Sequence, residues 1–145
     1  MMFPDASPAR LSRFCDKKAA KVKNDGGAPV VKVAVMLKRK PGMSAGEFHR
    51  YWKDVHGPLV LGVPELMRHF RKYVQSHAID TGLSDTPGGS GPYDGYAELW
   101  ADNLDEVKRA FAEPRYLEVV RPDEHKFLDL ANCVFMVTEE VPMKG

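Results

Sequence analysis

The sequence predicts an α+β fold, a ferredoxin-like βαββαβ unit with a four-stranded antiparallel sheet, and three observations carry that prediction. The first is the order strand, helix, strand, strand, helix, strand, read from hydrophobic periods that switch between 2 and 3.6 along residues 30–140. The second is the similarity of the two halves, where each helix start shows capping spacing, Ser44 with Glu47 and Asn103 with Glu106. The third is an imbalance of apolar surface. Two helices cover one face of such a sheet, yet the first strand is apolar on both faces and the fourth nearly so. A second copy of the sheet would cover the bare face through a twofold interface, so a homodimer closed face to face into an α+β barrel is expected.

Each element has a local cause. Residues 30–38 (VVKVAVMLK) are rich in β-branched side chains, with Val31, Val33, Val35 and Leu37 on one face and Val30, Ala34 and Met36 on the other. After the Pro41-Gly42 turn, Phe48, Tyr51, Trp52 and Val55 recur at i, i+3, i+4 and i+7, a helix stripe that leaves His49, Arg50 and Lys53 elsewhere. Gly57-Pro58 is expected to stop this helix. A short helical turn over 64–69 precedes a strand over 71–79, where Tyr73, Gln75, His77 and Ile79 alternate with Val74, Ser76 and Ala78. Residues 80–93 form a loop too long for an ordinary hairpin, read as a mobile segment or a lid. GYAELWA, residues 95–101, resumes as a strand with Tyr96, Glu98 and Trp100 on one side. Leu104, Val107 and Phe111 make the stripe of a second helix that Pro114 ends. Helical turns over 115–120 and 123–130 follow. Residues 132–140 give the last strand, with Val134 and Met136 opposite Cys133, Phe135 and Val137.

Composition excludes several roles. Charge is balanced at 21 basic against 20 acidic groups, with the basic excess confined to residues 1–29, so no nucleic-acid partner is expected. Residues 1–29 read as a flexible extension and 30–145 as one domain. No apolar run nears the roughly 18 residues that span a bilayer, and no secretory signal is visible, so a cytoplasmic protein away from membranes is expected, with Cys15 and Cys133 as reduced thiols. Phosphate-loop, dinucleotide, nucleophile-elbow and metal-ligand patterns are all missing, so neither cofactor nor metal is expected.

The stretch EFHRYWKDVHGPLV, with RKYVQSHAI, YDGYAELW and PDEHKFLD after it, resembles the EthD-like family of the dimeric α+β barrel superfamily. The most specific match is Tyr51, Trp52, His56, Gly57 and Pro58. The resemblance implies a small dimer with a cavity between sheet and helices that takes a small hydrophobic molecule, often aromatic or polyketide-derived, without metal or organic cofactor. The family includes fungal polyketide dehydratases and decarboxylases, while its founding members accompany a cytochrome monooxygenase in ether degradation.

The candidate residues follow from proton chemistry. His56 sits in the last helical turn at the edge of the aromatic face, where helix end and burial push its pKa in opposite directions, as suits a general acid or base; the alternative is a cap on its own helix. Tyr51 is a candidate hydrogen-bond donor and Trp52 a cavity wall, with core packing as the other reading of both. Tyr73 and His77 share one strand face, Tyr96, Glu98 and Trp100 another. A symmetric hairpin would join the two faces into one polar cluster in which His77 and Glu98 relay protons, or would place that pair at the dimer interface. His49 and His69 are expected to be solvated and His125 to lie on the surface. The leading function is a cofactor-independent lyase or isomerase, of dehydratase or cyclase type, acting on a hydrophobic carbonyl compound with His56, His77 and Tyr51 as catalytic groups. The competing functions are an EthD-type oxidoreductase or oxidoreductase-associated protein of xenobiotic degradation, and a small-molecule binding module without turnover.

Overall fold

The first strand, β1 (Val31–Leu37), lies at the centre of the sheet because its β-branched side chains can be covered on both faces. Positions 31, 33, 35 and 37 are buried, whereas Lys32, Ala34 and Met36 are only half-buried. In this computed structural model, which describes residues 30–81 and 92–145, four antiparallel strands run in the order β2 (Lys72–His77), β3 (Gly95–Ala101), β1 and β4 (Val134–Glu139). This is the predicted ferredoxin-like arrangement. The extension expected over residues 1–29 lies outside the described residues, as does the 82–91 part of the long loop read as a mobile segment or a lid.

The helices cover one face. The first begins at α1 (Ala45–Tyr51), where the Ser44 side chain accepts from the Glu47 amide and the Glu47 side chain accepts from the Ser44 amide. It does not stop at Gly57-Pro58. A π-helical turn, Trp52–His56, carries it into α2 (Gly57–Leu61). The wider turn is why the proline is tolerated: proline has no amide hydrogen and crowds the carbonyl four residues back in a regular helix. The change of pitch also turns Val55 out of the predicted stripe, leaving it 46% exposed. After the short α3 (Pro64–Met67), α4 (Leu104–Ala112) follows β3, its first turn capped by Asn103, which accepts from the Glu106 amide. A second π-helical turn, Tyr116–Val120, leads into α5 (Arg121–Phe127).

The core lies between this helical layer and the sheet. Phe48, Trp52, Val107 and Phe127 pack with essentially no exposure against Val33 of β1. Phe127 touches the rings of Phe48, Tyr51 and His56, with centroids 4.7–5.7 Å apart. Cys133 is a free, buried thiol pushed up to about 11 by burial, and so stays neutral. The other sheet face has no cover among the described residues: Tyr96, Val134 and Met136 are 41%, 41% and 51% exposed. No helix among the described residues is long and apolar enough to cross a membrane.

Candidate active site

A cavity of about 70 Å³ is wedged between the sheet and the helices. Its walls are almost wholly apolar, from Val35 and Leu99 of the sheet to Val60, Phe111 and Phe127 of the helical layer. Four polar side chains reach it: His56, Tyr73, Tyr116 and Glu124.

His56 occupies the last position of the first π turn and is buried. Its Nδ1 lies 2.8 Å from Oδ2 of Asp123, itself buried, while Tyr51 donates to the other oxygen of Asp123 at 2.5 Å. The pairing sets the tautomer. A carboxylate only accepts, so Nδ1 carries the hydrogen and Nε2 of the neutral ring bears the lone pair. Nε2 has no hydrogen-bond partner among the described residues, and no buried side-chain nitrogen or oxygen there lacks one, so Nε2 reaches open space. Burial lowers the His56 pKa against the opposing pull of Asp123, so the ring is neutral and its Nε2 lone pair is open to a proton. Burial and Asp123 push the Tyr51 phenol up to about 12, so it remains a donor.

The second polar group has the opposite bias. Glu124 is buried, and burial pushes its carboxyl up to about 8 even though the Arg121 guanidinium, 3.5 Å away, and the Tyr116 hydroxyl both favour the ion. Tyr116 donates to Oε1 at 3.1 Å. At neutral pH the cavity therefore holds an acid that keeps its proton and a base that lacks one, the separation that distinguishes acid from base in enzyme sites. Among the described residues no group of three or more His, Cys, Asp or Glu side chains is placed to hold a metal ion.

Of the residues the sequence points to, His56, Trp52 and Tyr73 line the cavity. Tyr51 does not line it; its hydroxyl bonds Asp123, which in turn pairs with His56. His77 does not line it: its ring stacks on Trp52 at 4.2 Å, its Nε2 bonds Gln75 Oε1 at 2.9 Å, and its Nδ1 meets His49 Nδ1 at 2.8 Å. The joined polar cluster does not form. The register pairs Val74 with Glu98 and Ser76 with Tyr96, so Tyr96, Glu98 and Trp100 lie on the uncovered face, opposite to Tyr73 and His77. Glu98 there takes Lys32 at 2.6 Å, and the Trp100 ring sits under the ammonium groups of Lys32 and Lys72. His69 is not solvated, and His49 is half-buried. His49 bonds His77, and His69 has a carboxylate on each ring nitrogen, Glu106 at 2.7 Å and Glu113 at 2.9 Å, with its side chain 8% exposed. His125 is exposed, as expected. Asp123, Glu124 and Tyr116 go unnoticed in the sequence because charges on a short helix read as solvated. The signal is present nonetheless: Phe127 follows Asp123 by four and Glu124 by three, which puts both carboxyls on the buried side of α5.

Fold and cavity together define a ferredoxin-like α+β protein with a buried histidine–aspartate pair and a buried carboxyl set into an apolar chamber. The EthD domain pattern matches residues 40–131, most of the chain, and the protein belongs to the EthD family. Two relatives are similar in sequence. One is a dehydratase, ustZ, of Ustilaginoidea virens, 28% identical over 106 residues, which span 68% of this chain and 75% of that protein. The other is the conidial pigment biosynthesis dehydratase EthD of Metarhizium robertsii, 29% identical over 105 residues, spanning 68% and 74%. Among solved structures, an EthD-like protein from Ralstonia eutropha superposes with a TM-score of 0.59 at 20% identity, covering 79% of this chain and 95% of that one. A dimeric protein of unknown function from Bacteroides fragilis gives 0.57 at 15%, covering 77% and 96%. At these identities the structures establish the shared fold.

Proposed function

We propose that this protein is a dehydratase for a hydrophobic β-hydroxy carbonyl compound, working by acid–base chemistry between His56 and Glu124. The observation that carries the reading is the pairing, in one apolar cavity, of a neutral imidazole oriented by Asp123 with a carboxyl that burial keeps protonated. His56 Nε2 takes the proton from the carbon next to the carbonyl, and the electron pair of that C–H bond moves toward the carbonyl. The β C–O bond then breaks, and the leaving hydroxyl takes the proton of Glu124 and departs as water. A proton passing from the imidazolium to the Glu124 carboxylate, directly or through solvent, restores both groups. Each transfer is of the kind a placed side chain accelerates about 100- to 10,000-fold. The dehydratase names of the two sequence relatives support this choice among acid–base reactions.

The proposal includes a homodimer formed across the uncovered sheet face. Supporting it are the cross-strand rows Tyr96–Met36–Val134 and Glu98–Ala34–Met136, which leave apolar side chains in water in one copy, and the dimeric state of the Bacteroides fragilis protein. The chamber is smaller than the about 150 Å³ that admits benzene in an apolar core, so an aromatic substrate enters only as the wall side chains give way.

The test is a panel of aromatic β-hydroxy ketones incubated with the full chain, with loss of water followed by mass and deuterium uptake at the α carbon followed by NMR in D2O. Both signals are expected for wild type. His56→Ala should lose both, whereas Glu124→Gln should lose dehydration and retain exchange. Tight binding of every panel member with neither signal would replace the dehydratase by a binding module.

A further inference from the structure

The polar residues of β2 share hydrogen bonds that fit together in one polarity only. Gln75 Nε2 lies 2.9 Å from the carbonyl oxygen of Trp52. A carbonyl cannot donate, so the amide orientation is set and this nitrogen gives one of its hydrogens there. Its other hydrogen goes to the hydroxyl of Tyr73, also at 2.9 Å, and the Tyr73 oxygen is therefore an acceptor. Gln75 Oε1 in turn accepts from His77 Nε2. Tyr73 lines the cavity together with His56 and Glu124, and its own hydroxyl hydrogen finds no acceptor among the described residues. That hydrogen is free to enter the chamber. Burial pushes the phenol up against the opposing donation from Gln75 and Trp52, so the hydroxyl keeps its hydrogen and remains a donor.

We infer that Tyr73 donates to the carbonyl oxygen of the substrate, and that Gln75 is the positioning residue that keeps its hydrogen turned into the cavity. The inference deepens the dehydratase reading and rests on it: it places the ketone oxygen beside β2 and the departing hydroxyl toward Glu124. It also gives a reason for Gly57. A Cβ at that position would come within 2.9 Å of Gln75 Nε2 and 3.3 Å of the Trp52 carbonyl, so only glycine leaves the amide its place. His77, expected from the sequence to be catalytic, here holds the other end of Gln75.

The experiment uses acetophenone as the probe and reads its carbonyl stretch by difference infrared spectroscopy on the full chain, a signature that a purely structural role for these residues would not move. Bound to wild type, the stretch is expected below its value in an apolar solvent. Tyr73→Phe should return it to that value and weaken binding about three- to tenfold, as for one lost hydrogen bond. Gln75→Leu and Gly57→Ala should both give an intermediate stretch. His56→Ala should leave it low while stopping turnover, so that a failure of the reaction reading and a failure of this one are told apart. Should Gln75→Leu not fold, Tyr73→Phe, which removes a single oxygen, decides the matter. An unchanged stretch in Tyr73→Phe overturns the inference and leaves the cavity reading intact, and acetophenone that binds none of these proteins overturns both.

Discussion

Glu124→Gln is expected to be more stable than wild type in alkaline solution and equal to it in mild acid. The buried carboxyl titrates at about 8 rather than the ordinary 4.5, so between those values the unfolded chain has released a proton that the folded chain still holds. A group raised in this way contributes stability that is fully present below the unfolded pKa and is lost as pH rises through the folded one. The gap of about 3.5 pH units, at about 1.36 kcal/mol each, amounts to about 5 kcal/mol, an upper value because local relaxation can admit water to the ion. Glutamine never ionises and can still accept from Tyr116, so the loss disappears in the variant. His56 does not confuse the measurement. Its pKa is lowered by burial, so its contribution rises with pH only up to the unfolded value of 6.5 and is flat above. Urea unfolding of both proteins from about pH 5 to about pH 9, at one protein concentration because association adds to stability, gives the two curves. Curves that stay parallel to within about 0.5 kcal/mol across that range would show that Glu124 is not held protonated in the fold, and with it the proposed acid would fall.

Two further substitutions address the orienting carboxylate and the uncovered sheet. Asp123→Asn turns an amide toward His56 or Tyr51; facing the ring it moves the imidazole hydrogen to Nε2, and turnover is expected to fall about 100- to 10,000-fold with about 1–3 kcal/mol of stability. Unchanged turnover with an unchanged pH profile would remove Asp123 from the site. Met136→Glu puts a carboxylate in the row that already holds Glu98, on the face where a second copy would pack. Wild type is expected to sediment as a dimer and the variant as a monomer, and wild type running as a monomer refutes the interface.

How much of this was readable in the chain depends on the range of the forces involved. β3 spans 95–101 as read from its pattern, and the helix starts at Ser44 and Asn103 are legible, because strand alternation and capping are settled within a few residues. The meeting of strand faces is not local. Whether Tyr73 or Val74 lies beside Glu98 depends on pairing across a long loop, and one residue of slip exchanges the faces; the observed register, Val74 with Glu98, puts the expected His77–Glu98 relay on opposite sides of the sheet. The histidines mislead for a related reason. His69 reads as solvated among Arg68, Arg71 and Lys72, yet its partners Glu106 and Glu113 come from α4 and the residue just after it, some forty positions away in sequence. His56 was legible because helix period alone sets it on the sheet side, while its partner Asp123 becomes visible only once α5 is folded over it.

The prolines carry a lesson that runs against the ordinary rule. Two helical stretches over the cavity widen into a π turn just ahead of a proline: Trp52–His56 before Gly57-Pro58, and Tyr116–Val120 before Arg121-Pro122. In both, the amide that closes the turn belongs to the residue before the proline, Gly57 to the Trp52 carbonyl and Arg121 to the Tyr116 carbonyl, so the proline enters where its missing hydrogen and bulky ring do least harm. The same turns deliver the site. Trp52 and His56 from one, Tyr116 and Val120 from the other, are the first and last residues of their turns, and all four are buried against the cavity. The first and last residues of each turn stand four apart, a spacing that keeps both side chains on one face. A proline that reads as a helix stop in this chain therefore marks the place where the helix opens and its functional side chains leave it.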